Sequence, residues 1–388
     1  MTLYLLDPEP SPAWFPFADM RPIAELRAGA WLIRERWEAV ADDACAAIFG
    51  ARHLASFTEA GVPPVESVRA VDGPAIIGRS DFAPTGEAPA TGEGPARLVN
   101  EGQTVGWWVS PGLSWNGGKG EESRWPAVEI AGLALHGAYD LITALEHLLP
   151  ADVADFTQEG GDEVPNGSIV IGEPEDVVLL GARIEPGVVF DVREGVVVVE
   201  QNCYVQSGTR LVGPLYVGPG SELLGGPIRG SVIGPRCRVR GELSTSVFLG
   251  YANKAHDGFV GHTVIGRWAN LGAGTITSNL KNTYGTVRLD AKGTAIDTGR
   301  QFLGSLIGDH VKTAIGTLLA TGTVVGGGAN VFGGAPAKCV PAFAWGDAAV
   351  MKLDGFLAVA ERVMKRRDVQ FTAPVRQMLV ALYDHATK

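Results

Sequence analysis

Charge is scarce in this chain of 388 residues: Asp, Glu, Lys and Arg make up 19% of it, below the usual quarter. The balance is acidic, with a formal net charge of −11. That excludes a generic nucleic-acid surface, which needs an excess of cations against the phosphates. It leaves small anionic substrates open, because a pocket can be basic in an acidic protein. Cysteine is scarcer still. Cys45, Cys203, Cys237 and Cys339 stand at long, irregular spacings without a CxxC. A disulfide framework and a zinc ribbon are therefore excluded, and buried thiols in a reducing compartment are expected. No stretch reaches the roughly eighteen apolar residues of a membrane-spanning helix. The start MTLYLLDPEP has neither the basic region nor the apolar core of a signal peptide. These absences predict a soluble cytoplasmic protein with neither nucleic acid nor membrane as partner.

Glycine is what the chain has in excess, with 52 residues. Apolar residues recur every sixth position around it. Val178, Ile184 and Phe190 form one ladder; Val199, Val205, Leu211, Val217 and Leu223 form another; Ile307, Thr313, Leu319, Val325 and Val331 form a third. Phe259, Ile265, Leu271 and Thr277 keep the beat through the central stretch. A six-residue comb with glycine corners predicts a parallel β-helix of hexapeptide repeats over residues 168–340. The ladder breaks at 226–246 and at 278–301. The second break is polar and reads as an excursion from the coil, a place where solenoids often carry function.

Residues 1–155 lack the beat. Residues 3–6 predict a buried strand ending at Asp7, followed by a proline-rich turn. Residues 23–40 predict a helix with Leu26, Trp31, Ile33 and Trp37 toward the core, and residues 139–149 a second helix stopped by Pro150. Apolar pieces at 75–77, 98–99, 105–109 and 128–130 predict strands, so an α/β domain is expected. Segments 82–95 and 110–126 read as surface loops, and 156–167 as a linker. From 341 to 388 the period turns helical again. Thr372 followed by Pro374 predicts the cap of a last helix, and the tail is expected to cover the open end of the solenoid. The Lys365-Arg366-Arg367 run reads as a solvated helix end.

The run KAHDGFVGHTVIG at 254–266, followed by NLGAGTITSN at 270–279, resembles the acetyltransferase domain of the bifunctional UDP-N-acetylglucosamine diphosphorylase/glucosamine-1-phosphate N-acetyltransferases. His256 keeps the family histidine's distance of sixteen residues to Gly272, the first glycine of GAGT. The segment PFADMRPIAELRAGAWLIRERW resembles the sugar-nucleotidyltransferase segment that follows a phosphate loop, although LDPEPSPAWF supplies no GxGT. The resemblance implies a divergent nucleotidyltransferase-like domain, a left-handed β-helix, a homotrimer with active sites between subunits, and acetyl-CoA as donor. Mg2+ and UTP are implied if the N-terminal domain transfers nucleotides, with Asp7 and Asp140 the candidate metal ligands.

Acyl transfer to a sugar amine needs a base, an oxyanion donor and a phosphate holder. His256 is the candidate base, with Glu242, fourteen residues earlier, to orient it. His262 reads as a corner histidine. Asn279 and Asn270 are expected to contact the amino-sugar phosphate, with Lys281, Arg229 and Arg21 as basic binders. Gly272, Ala273 and Gly274 are expected to admit the pantetheine arm; a β-helix also needs glycine at its corners. Leu280 stands where the family has a tyrosine, and Ser244 where it has a basic residue. Two rivals remain. One is a zinc enzyme of the β-helical carbonic anhydrase type using His256, His262 and His310 across an interface. The other is a non-catalytic, sugar-nucleotide-binding regulatory protein.

Overall fold

The computed structural model describes residues 1–86, 94–158, 160–347 and 349–388. The N-terminal part is built on a seven-stranded sheet in the order Ala127–Glu129, Ala96–Asn100, Gln103–Val109, Ala75–Arg79, Thr2–Leu6, Cys45–Phe49, Val65–Glu66. Thr2–Leu6 lies parallel to both neighbours, and Gln103–Val109 joins antiparallel to Ala75–Arg79. Helix α1 (Ile33–Ala41) crosses the sheet through Trp37, which is fully buried. Gly78 makes that crossing possible, because a Cβ there would stand 2.4 Å from the Trp37 ring.

The first predicted helix is therefore shorter than its sequence pattern. Residues 23–25 form a single 3-10 turn, and Arg27–Ala28 pairs with Trp31–Leu32 around Gly29 at φ 71°. Glycine tolerates that left-handed turn where other residues are strained. The second helix, α2 (Asp140–Asp155), runs through Pro150 instead of stopping there. Its buried stripe of Leu141, Leu145, Leu148, Leu149 and Val153 outweighs the one missing N–H. Within the expected loop 82–95, Phe82–Pro84 is a buried strand paired with Gly132–Ala134. Residues 87–93 lie outside the described residues.

Beyond it the chain winds into a parallel β-solenoid with three faces. The first face stacks Ile169–Ile171 through Phe259–Gly261; the second stacks nine strands from Val177–Leu179 to Cys339–Val340; the third begins at Arg183–Ile184. The inward positions form one apolar column after another, from Val199, Val205 and Leu211 to Val325 and Val331. Two hexad assignments shift by one residue. Val260 points inward and Phe259 outward, and Val178 faces out while Val177 and Leu179 face in. The expected break at 226–246 is no break: shorter coils there keep strands on all three faces. The break at 278–301 is an excursion, carrying the antiparallel hairpin Arg288–Ala291/Thr294–Asp297.

The second face is apolar on both sides. Its outward residues Val198, Tyr216, Val232, Val247, Val264 and Leu306 share one buried cluster with the N-terminal domain. Helix α2 lies across strands Leu215–Val217 and Val247–Phe248. Trp31 stacks on Phe156 at 5.3 Å, and both contact Tyr216. The linker is pinned as well, with the Asp162 amide donating to the Leu179 carbonyl at 2.7 Å.

A buried ion cluster locks the same junction. Arg21 donates to Asp309 at 2.8 Å and to Glu59 at 3.0 Å, and Arg267 lies 3.3 Å from Glu59. Arg21 and Glu59 belong to the N-terminal domain, Asp309 and Arg267 to coil corners. Helix α3 (Leu353–Lys365) and helix α4 (Ala373–Thr387) wedge beside the cluster. They do not simply cap the solenoid. Phe356 meets His310 and Phe343 edge-on. The Met378 sulfur accepts from the Thr58 amide of the N-terminal domain. The last coil instead ends in Ala344–Trp345 pairing antiparallel with Ala349–Val350.

Removing one partner from a buried ion pair leaves the other charge unpaired, whereas replacing both with apolar groups relieves the desolvation. Asp309→Ala should lower the unfolding free energy in guanidinium by about 3 kcal/mol or more, and Arg21→Met/Asp309→Leu should recover most of it. Equal losses in the two variants would show that shape and not charge sets the cost.

Candidate active site

The solenoid's three edges are stacks of corners, and the predicted site residues divide between them. His256 stands exposed on the third–first edge. The corner beneath it is organised by Lys254, an inward-pointing lysine in the solenoid core. Its ammonium donates to the carbonyls of Arg240 (3.3 Å), Asp257 (3.0 Å) and His256 itself. Burial draws its pKa down to about 8. An inward lysine in a hexad ladder was not singled out from the sequence; its signal is a charge at an inward position of the comb.

The next corner on this edge is Gly272–Ala273–Gly274. The Gly274 amide donates to the Asp257 carbonyl at 3.0 Å. The following coil sits just as close. A Cβ on Gly272 would lie 2.6 Å from the Ala314 backbone, so the stacking alone requires glycine there. The Ala273 amide makes no hydrogen bond among the described residues. His256 and the glycine run are therefore neighbours.

Glu242 lies one rung from the strand that follows His256. It stands exposed on the first face in register with Phe259, and no hydrogen bond joins it to the imidazole among the described residues. Asn270 lies on the third face, accepting 2.8 Å from the Asn253 side-chain amide.

The first–second edge carries the other half. His262, at φ 46°, shares a hydrogen bond with the Asn279 side-chain amide at 2.9 Å and stacks on Phe302. Burial holds its imidazole below the usual value. Arg229 stands in register with Ser244 and Gly261 along this side of the first face, exposed. Lys281 donates to the Thr286 carbonyl at 2.9 Å and closes the start of the excursion. Arg300 of the excursion ties this edge to α2 through Thr143 (2.7 Å) and Glu146 (2.8 Å).

Two expectations are corrected. Arg21 is no substrate contact: it is buried and taken by Asp309 and Glu59. Within one chain the histidines do not gather either. His310 is buried between Trp268 and Phe356, away from the exposed His256, and no three His, Cys, Asp or Glu side chains form a metal cluster among the described residues.

In the N-terminal domain a crevice of 540 Å3 opens at the carboxyl ends of strands Thr2–Leu6 and Ala75–Arg79, where open α/β sheets bind ligands. Its walls include Glu9, Arg79, Arg97, Trp107 and Lys119. Asp7 reaches it but does not fit a Mg2+ site. Its oxygens accept the amides of Ile23 (3.0 Å) and Ala24 (3.3 Å), and burial raises its pKa to about 6. Asp140 is likewise occupied by His136 and Thr143.

An α/β domain with a crevice at its strand ends, docked on a parallel β-solenoid, defines a nucleotidyltransferase-like protein with a hexapeptide-repeat partner domain. Comparison with known proteins narrows the class. Residues 3–159 match the family described as sugar nucleotidyl transferase. A bifunctional sugar-1-phosphate nucleotidylyltransferase/acetyltransferase of Sulfurisphaera tokodaii is 34% identical over 148 residues, 37% of this chain and 36% of that protein. The bifunctional protein GlmU of Methanococcus vannielii is 34% identical over 123 residues, 32% of this chain and 25% of its own length. The matched stretches thus span about a third and a quarter of those relatives. Residues 3–159 are thus similar to the sugar nucleotidyl transferases, and the chain resembles these bifunctional proteins over about a third of its length.

The lysine beneath His256 gives a pH test. A lysine whose folded pKa lies near 8 binds fewer protons folded than unfolded between pH 8 and 10.5. Stability from this group therefore rises with pH across that window and is lowest below it. Lys254→Met should remove that part of the wild-type slope in urea unfolding at stepped pH. An unchanged slope would show that Lys254 is not the titrating group.

Proposed function

We propose that the solenoid is an acetyl-CoA-dependent N-acetyltransferase acting on an amino-sugar phosphate of the glucosamine-1-phosphate type, and that the N-terminal domain binds the related sugar nucleotide. The observation that carries this reading is the third–first edge: an exposed imidazole on a rigid corner, one rung from a glycine corner with a free backbone amide. His256 accepts the proton as the sugar amine attacks the thioester carbon. The Ala273 N–H donates to the oxyanion of the tetrahedral intermediate. Collapse of that intermediate breaks the C–S bond and releases CoA as the thiolate, which takes up a proton, leaving the amide.

The sugar-side residues Asn279, Arg229 and Lys281 stand across the first face from His256, beyond the length of strand Phe259–Gly261, itself roughly 10 Å. A homotrimer joined through this face would bring one subunit's His256 edge to its neighbour's Asn279 edge. The face is apolar enough for that purpose: Ile276 is 40% exposed, Leu318 58% and Ile315 83%, and such patches mark protein contacts.

For the N-terminal domain, Arg97 and Lys119 supply cations that the missing phosphate loop does not, while Arg79 is already paired with Asp81 at 2.9 Å. With Asp7 committed to backbone amides, binding without nucleotidyl transfer is the second reading for this domain. No pyrophosphate release from UTP and N-acetylglucosamine-1-phosphate, with UDP-N-acetylglucosamine still bound, would support it; turnover would overturn it.

Thiol release from acetyl-CoA with glucosamine-1-phosphate should fall by about 100-fold or more in His256→Ala, and far less in His262→Ala. A silent wild type across several amino sugars would remove the acetyltransferase reading; a fully active His256→Ala would remove the base. Ile276→Lys/Leu318→Glu should sediment as a monomer and lose thiol release while the N-terminal domain still binds nucleotide. A trimer that survives both charges would place the contact on another face.

A further inference from the structure

Two arginine pairs from distant parts of the chain meet where the second–third edge passes beneath the end of α3. Arg236 and Arg238 belong to one coil; Arg366 and Arg367 follow the last residue of the helix. Arg236 Nη1 donates to the Arg367 carbonyl at 2.8 Å across 131 residues of sequence. Two adjoining cavities of 520 and 230 Å3 share Tyr251, Arg366 and Arg367 in their walls.

Carboxylates do not balance these charges. Glu222 pairs with Arg238 at 2.7 Å. Asp368 is the remaining acid in the cavity walls and makes no ion pair among the described residues. The Arg367 Nε is buried without a hydrogen-bond partner. Burial, and then the charge of Arg238, hold its guanidinium below the usual range. Cations at a helix C-terminus are partly offset by its carbonyls, and an exposed basic run there is ordinarily a solvated end. Here the run is folded onto a second basic pair instead, which raises the free energy unless an anion joins them.

The groove continues along the third face. Arg238, Asn253, Asn270 and Lys312 stand on successive rungs, a column of roughly 14 Å at the spacing of paired strands. Lys312 donates to the carbonyls of Trp268 (3.1 Å) and His310 (2.8 Å) at its far end.

We propose that this groove is a phosphate-ester site. Arg236, Arg238, Arg366 and Arg367 enclose the phosphate oxygens, and the Asn253 and Asn270 amides face the rest of the ligand. Guanidinium forks match phosphate geometry better than an ammonium does. Two ligands of the proposed chemistry carry such a group: the nucleotide end of an acyl-CoA and a sugar nucleotide. The site stands whether or not the solenoid transfers acyl groups, because binding is read directly.

Calorimetric titration of the full chain with 3′,5′-ADP, with UDP-N-acetylglucosamine and with pyrophosphate tests it. At least one probe should bind wild type, and Arg366→Ala/Arg367→Ala should weaken that binding about 100-fold without lowering the unfolding midpoint of the ligand-free chain. Arg238→Gln, from the other segment, should weaken the same probe. The exposed Arg69→Ala, remote in the N-terminal domain, should not. Counting only the binding that both pocket variants weaken, which separates the groove from the N-terminal crevice, preference for 3′,5′-ADP assigns the groove to the acyl-CoA end and preference for the sugar nucleotide assigns it to that ligand. No binding by wild type, wild-type affinity in both pocket variants, or an equal loss in Arg69→Ala would overturn the site.

Discussion

The register between stacked coils decides which residues of this protein can act together. Each coil bonds to the next through backbone ladders, so an outward residue meets only the residues one rung above and below it. Glu242 illustrates the constraint. Fourteen positions separate it from His256 in sequence, yet its rung neighbour is Phe259. The imidazole lies on the corner before that strand. Gly272–Gly274, sixteen to eighteen positions later, fall on the next corner of the same edge and are bound to it by the Gly274–Asp257 hydrogen bond. A difference of a few residues in spacing thus decides which residues meet the His256 corner.

The three edges carry different loads as a result. The second–third edge holds non-glycine residues in the left-handed region: Arg236, Tyr251, Trp268, His310 and Phe343, at φ between 54° and 63°. Such residues are strained there. Their stacking, with Tyr251 on Trp268 at 4.2 Å and Trp268 on His310 at 6.2 Å, offsets part of the cost. It is this strained edge that the ion cluster and the C-terminal helices clasp. Of the other two edges, on either side of the first face, one carries His256 and the other carries the His262–Asn279 pair and is tied to α2 through Arg300.

The solenoid was legible because its inward positions obey one rule, apolar every sixth residue. The outward positions obey no such rule, so their roles were not. Arg21 read as a substrate contact because its neighbours resemble a nucleotidyltransferase segment; only the docked solenoid supplies Asp309 as its partner. One signal was present and unread. Val196–Val199, Leu215–Val217 and Val232–Ile233 are apolar at outward as well as inward positions, in successive coils of the second face. A strand buried on both sides reads as a continuous apolar run, so this pattern already marked the face that another domain covers. The length of α2 failed for a related reason: the second face buries the far side of Pro150 and overrides its local preference.

Asp7 shows how such docking bears on chemistry. It keeps the position of an acidic residue at the end of the first strand, the place where an α/β sheet offers a ligand its carboxylates. In this chain it accepts two amides from residues 23 and 24 instead. Those residues open the turn that leads into the hairpin of Arg27–Ala28 and Trp31–Leu32, and Trp31 is the ring that packs against Tyr216 of the solenoid. Each of its two oxygens already accepts one amide, so part of its acceptor capacity is spent on holding that turn. The geometry that seats the domain on the second face thus also engages Asp7, whereas the corner beneath His256 is braced by Lys254 from inside the solenoid.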